Sequence, residues 1–168
     1  MRLLSKLGVH EKILIIFILI AFAFRLILIN QDISVLLSKF LSDDTYYAYV
    51  IAQNFAQDKG IVFNDNIPTN GFHPLYTLVI LTPLFKLLYG FGINVPIYAS
   101  LIVISVFTIG TSILLYKILT KLLNKKTGVV GAFIWLFNPY VLFVSFIGLE
   151  SAAQIFFISL LVYFLLTR

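Results

Sequence analysis

The sequence predicts an all-α transmembrane protein of about four spanning helices, with juxtamembrane helices in a long first external loop. Three observations carry this. Of 168 residues, 61% are hydrophobic and 11% charged, whereas soluble chains carry roughly a quarter charged residues. Mean hydropathy is +1.04. The apolar residues gather in runs of spanning length, and the lysines cluster beside those runs. Positive charge so placed reports membrane orientation, so the net charge of +5 does not point to nucleic acid. The absence of cysteine excludes disulfides and thiolate metal sites.

The whole chain reads as one membrane domain. Residues 13–29 form the first apolar run, interrupted by Arg25. It is longer than a signal-peptide core, lacks a small-residue cleavage site, and approaches the ~20 residues a spanning helix needs. Arg25 lies near its far end, where it either snorkels or meets an anion. Residues 30–94 form a polar excursion in which Asp44 is placed to cap a helix over 45–57 that Gly60 stops. Tyr47, Val50, Ile51 and Phe55 fall on one side of that helix, suited to lie on a membrane surface. Residues 74–89 are apolar but punctuated by Pro83 and Lys86. Runs of roughly 10–14 residues are more often re-entrant or interfacial than spanning. Further spans are expected over 95–116, 129–146 and 152–166, with a kink at Asn138-Pro139 and close packing at Gly110 and Gly131.

Lys117, Lys121, Lys125 and Lys126 form the densest positive cluster. The positive-inside rule wants it on the side of the basic N-terminus. That holds if 74–89 does not cross. The N-terminus is then cytoplasmic, and Asp43, Asp44, His73 and Glu150 share the extracytoplasmic face of the cell membrane. If 74–89 crosses, Glu150 is parted from the aspartates by the bilayer.

Each polar group has two readings. Asp43-Asp44 is either a cap with a solvated neighbour or a partly desolvated carboxylate suited to accept a proton. His73-Pro74 is either a turn entering a helix or part of a site. Glu150 either ends one helix and caps the next at water level, or faces a cavity beside apolar neighbours. Asp43, His73 and Glu150 are the candidate ligands of a divalent metal ion, although no local spacing compels one.

Taken in order, Asp43-Asp44-Thr45-Tyr46-Tyr47, Gly60 to Asn64, the Thr-Asn-Gly-Phe-His-Pro-Leu block at 69–75, and Gly-Leu-Glu-Ser at 148–151 resemble the N-terminal part of the GT-C superfamily. These polytopic glycosyltransferases include the protein O-mannosyltransferases (glycosyltransferase family 39) and the lipid A aminoarabinose transferases. The resemblance covers nearly the whole chain. It implies transfer of a sugar from a polyprenyl-phosphate donor in the lipid bilayer to a glycan, lipid or protein acceptor outside. Asp43 or Asp44 would be the base, with Asp43 preferred because Asp44 is the better cap. Glu150 would be the second acidic group of the catalytic set, binding acceptor, sugar or a divalent ion. Tyr46, Tyr47, Asn70 and His73 would bind substrate, and the lipid phosphate would be met by Arg25 or by a residue this chain does not contain. Members of the superfamily are longer, so the chain is expected to be a fragment, or to need its missing C-terminal part or another chain. The alternative is a non-catalytic scaffold or accessory subunit that retains the motifs. A transporter would need ionisable residues within its spans and inverted repeats. Only Arg25 lies within a span, and no repeat is evident.

Overall fold

The computed structural model describes residues 7–64 and 67–168. Its helices are α1 (Val9–Ile29), α2 (Ile33–Lys39), α3 (Asp43–Ala56), a π-helical segment (Leu75–Leu81) that continues as α4 (Thr82–Leu88) and a 3₁₀ turn (Tyr89–Phe91), α5 (Val95–Leu122), α6 (Lys125–Phe137), α7 (Pro139–Ile147) and α8 (Ser151–Thr167). Among the described residues the only β pairing is one isolated bridge, Val62 to Pro68.

Two helices, α1 and α5, are long and apolar enough to cross a membrane. The pair α6 and α7, bent by 51°, would count as a third if taken as one span, and α8 is a shorter apolar helix. The bend lies at Asn138-Pro139. Proline cannot donate to the helix ladder, and the Asn138 side chain accepts instead from the Tyr140 and Val141 amides at 2.8 and 3.3 Å.

These rods alternate in direction. At one end Glu11 of α1 meets Lys125 of α6 at 2.7 Å and Tyr116 of α5 at 3.0 Å. Lys117 of α5 lies over the Tyr163 ring of α8 there, and Lys121 donates to the Leu166 carbonyl. At the other end Tyr98 reaches the Gln31 carbonyl, and the last carbonyls of α7 receive donors from the first loop. Segment 75–91 starts against Gly148, through Tyr76, and ends at the start of α5, so it lies across this same end. Its π-helical opening has a local cause. Pro83 has no amide to offer and its ring crowds the preceding turn, and the Thr82 hydroxyl bonds the Thr77 carbonyl at 2.9 Å, five residues back. The main core sits here too, built on Leu36, Tyr49, Ala52, Leu81, Phe85 and Leu101.

Several expectations require correction. Ser42, not Asp44, caps α3, accepting from the Thr45 amide at 3.3 Å. Gly60 does not stop that helix. It ends at Ala56, and Asp58, at φ 60°, turns the chain while Lys59 donates back to the Asn54 carbonyl, a Schellman closure. The buried face of α3 is Thr45, Ala48, Tyr49, Ile51 and Ala52. Of the residues expected on its membrane-facing side, Ile51 is buried within the protein, whereas Tyr47 and Phe55 are exposed. Helix α2 was not expected. The close approaches at two glycines are present, since a Cβ on Gly110 would lie 2.6 Å from Phe156 and one on Gly131 would strike Leu119.

Candidate functional site

The site is assembled by the carbonyls that α7 leaves unpaired at its C-terminus. The Ile147 carbonyl accepts from the Thr45 hydroxyl at 2.5 Å and the Ser42 amide at 3.4 Å. The Gly148 carbonyl accepts from the Tyr76 hydroxyl at 2.6 Å. Gly148 itself has φ 84°, a conformation that favours glycine, and a Cβ there would lie 2.5 Å from Thr45 Cγ2 and 2.7 Å from Leu41 Cδ2. These contacts pin the 148–151 turn onto α3 and the π-helical segment. They bring Glu150 to the residues of the first loop.

The result is a cavity of about 470 Å³ whose lining includes Asp44, Tyr47, Thr69, Phe72, His73 and Glu150. His73 Nε2 lies 3.3 Å from Glu150 Oε1, an ion pair when the imidazole is protonated. Glu150 Oε2 is buried with no hydrogen-bond partner. Glu150 occupies the N-cap position of α8, but its side chain makes no cap hydrogen bond and is left to face the cavity. Tyr47 forms one wall and stacks on Phe63 with centroids 3.7 Å apart and rings within 4° of parallel. Asn54 fixes the strand-like piece behind it by donating to the Val62 carbonyl at 3.0 Å.

A second, apolar groove of about 220 Å³ runs between the π-helical segment and α8, lined by Leu75, Ile80, Ala153 and Phe157 among others. His73 and Glu150 line both spaces. Gln154, one turn into α8, lines the groove and approaches Glu150 Oε1 at 3.5 Å.

Not every candidate residue joins this site. Asp43 and Tyr46 line a separate hollow with Leu37 and Leu41, which Tyr47 shares. Asn70 is exposed and lines neither space. Arg25 is fully buried and neither snorkels nor meets the cavity. It donates to the carbonyls of Ala21 at 3.1 Å and Leu136 at 3.3 Å. Proline at 139 frees carbonyls at the end of α6, and a cation at a helix C-terminus is favoured, so Arg25 is a cap on the α6 break. Among the described residues no three of His, Asp and Glu converge to hold a metal. Asp43, His73 and Glu150 therefore do not form the expected ligand set. The sequence reading missed Thr69, Phe72 and Gln154. Gln154 carried a signal, being the only strongly polar side chain inside the apolar 152–166 run.

Burial pushes the Tyr76 phenol well above its ordinary range, and Tyr49 and Glu150 nearby add to the shift. Burial raises Tyr49 too, partly opposed by its hydrogen bond with Ser100 at 2.5 Å. Both phenols are structural hydrogen-bonding groups held neutral. No family model, curated protein or solved structure matches this chain.

Proposed function

We propose that this chain is a membrane glycosyltransferase module acting on a polyprenyl-phosphate-linked sugar at the extracytoplasmic face, with the lysine-rich end cytoplasmic. One observation carries the reading. A polar cavity with two carboxylates, Asp44 and Glu150, opens beside an apolar groove, and the two share His73 and Glu150. A lipid-linked sugar has this division of polarity. Its sugar belongs in the cavity and its hydrocarbon in the groove.

Asp44 is the base in this reading, because it is the member of the aspartate pair that lines the cavity. It takes the acceptor hydroxyl proton as oxygen attacks the anomeric carbon and the bond from that carbon to the phosphate oxygen breaks, its electron pair leaving with the phosphate. Glu150 Oε2, a buried acceptor without a donor, is suited to a sugar hydroxyl, since leaving such a group unpaired costs about 1–3 kcal/mol.

The test is sugar release in proteoliposomes. The full chain is given a panel of radiolabelled polyprenyl-phosphate hexoses and pentoses with a membrane extract as acceptor source. Asp44→Asn should lower transfer by about 10²-fold or more, whereas Asp43→Asn should stay within a few-fold. Transfer no faster than in empty liposomes, or an Asp44→Asn chain as active as the wild type, would leave the scaffold reading in its place.

A further inference from the structure

A lipid-linked sugar has an anionic phosphate at the joint between its polar and apolar parts, and that joint needs a cation or a set of donors. Arg25 cannot serve, being fully buried on the Ala21 and Leu136 carbonyls. Lys39, Lys59 and Lys86, the other basic side chains at this end, line neither the cavity nor the groove. Among the described residues His73 is the one group able to carry positive charge that lines either space, and it lines both.

Its surroundings favour that role. Nε2 faces Glu150 Oε1 at 3.3 Å, which leaves the Nδ1 position for a second bond. The His73 side chain is 67% exposed and that of Glu150 only 14%, so the carboxylate is the fixed member and the imidazole the accessible one. Gln154 brings a neutral amide to the same oxygen from inside the groove. The titratable groups around the imidazole are Glu150 at the start of α8, Asp44 and Tyr47 on α3, and Tyr76 on the helix that follows His73.

We propose that His73, positioned by Glu150 and assisted by Gln154, is the cationic anchor for the donor phosphate, so that donor binding follows the protonation of one imidazole. Histidine changes charge between about pH 5 and 8, so binding is tight when the imidazole is charged and weakens as it loses its proton. The identity of the lipid rests on the transfer reading. The proton dependence of phosphate binding does not.

The probe is a polyprenyl methyl phosphodiester, whose single negative charge is constant over this range. Its affinity for the full chain in phosphatidylcholine nanodiscs is measured from about pH 5 to 8, with the matching polyprenol, phosphatidic acid and inorganic phosphate as comparators. The wild type should bind the diester about tenfold or more tighter at the acidic end, the scale of one charge-assisted hydrogen bond. The polyprenol should show no such dependence. His73→Gln should bind weakly throughout, and His73→Arg should bind tightly throughout. Equal thermal midpoints for the two variants would exclude misfolding as the cause. A His73→Gln chain that keeps the wild-type pH profile, or a His73→Arg chain that still follows pH, would overturn the proposal. Phosphatidic acid binding as tightly as the diester would overturn the donor assignment and make the site a general lipid-phosphate site. Inorganic phosphate competing at equal concentration would overturn the role of the groove. If the diester binds as expected while Asp44→Asn transfers normally or no transfer occurs, the phosphate anchor stands and the transferase reading falls.

Discussion

Gly148→Ala is the substitution that most directly tests how the site is held. At φ 84° an added methyl places the backbone in a region that costs an L-residue about 1–2 kcal/mol. The same methyl would sit 2.5 Å from Thr45 Cγ2, 2.7 Å from Leu41 Cδ2 and 3.1 Å from the Tyr49 hydroxyl, and overpacking of this kind costs about 1–3 kcal/mol. Loss of glycine's freedom in the unfolded chain returns about 0.4–1 kcal/mol. The balance is a loss of roughly 1–5 kcal/mol. At about 2–4 °C per kcal/mol for a chain of this size, the thermal midpoint should fall by roughly 2–20 °C, centred near 8 °C. The assay is thermal unfolding in detergent followed through the single tryptophan, Trp135. Gly90→Ala is the matched control, because nothing lies within 4 Å of its would-be methyl and its φ is not positive. It should stay within about 0.5 kcal/mol. If Gly148→Ala melts with the control, the 148–151 turn is not pinned as described, and neither is Glu150.

Arg25→Ala should destabilise by about 2–4 kcal/mol, because it leaves the Leu136 carbonyl unpaired and opens a cavity between α1 and α6; chemical denaturation in mixed micelles reads this. Stability should fall on alkaline titration. A phenol whose folded pKa is raised stabilises fully below its unfolded value near 10 and loses that contribution as pH rises through the folded value. Following phenolate absorbance, Tyr76→Phe should lose part of this alkaline dependence, while losing some neutral-pH stability with its bond to Gly148. The chain is free of cysteine, so Phe91→Cys and Leu123→Cys, both at exposed positions, report topology directly. Phe91→Cys should label in intact cells and Leu123→Cys only after permeabilisation, and the reverse pattern would place the site on the cytoplasmic face.

The apolar runs and their punctuation were legible in the sequence because helix length and charge placement are local properties. The Asn138-Pro139 break and the close approaches at Gly110 and Gly131 were legible for the same reason. The buried face of α3 was not. The row of large apolar residues marks Tyr47 and Phe55 for a membrane surface, but nothing in it shows that the protein core closes on α3 over Ala48 and Ala52. Tyr47 is left to wall the cavity. The placement of the aspartate pair was not legible either: Ser42 takes the cap, Asp44 lines the cavity and Asp43 lines the neighbouring hollow. Arg25 was illegible for a different reason. Its partner is a carbonyl 111 residues away, and that carbonyl is free only because a proline interrupts another helix.

The convergence of Asp44 and Glu150 is at root a matter of parity. They are separated by segment 75–91, α5 and the bent α6–α7 pair, and they share an end only if an even number of these traverse the bundle. Contacts at the two ends give that parity independently of hydropathy. Glu11 with Lys125 and Lys117 with Tyr163 close one end, while Thr45 with Ile147 and Tyr76 with Gly148 close the other. Pro83 accounts for the role of 75–91 within this scheme. The segment's 17 residues amount to about 25 Å of regular helix, but it opens as a π-helix with its tyrosine hydroxyl tied to the α7 terminus, and so lies across the latter end of the bundle. The same tie sets His73, three residues before Tyr76, beside Glu150.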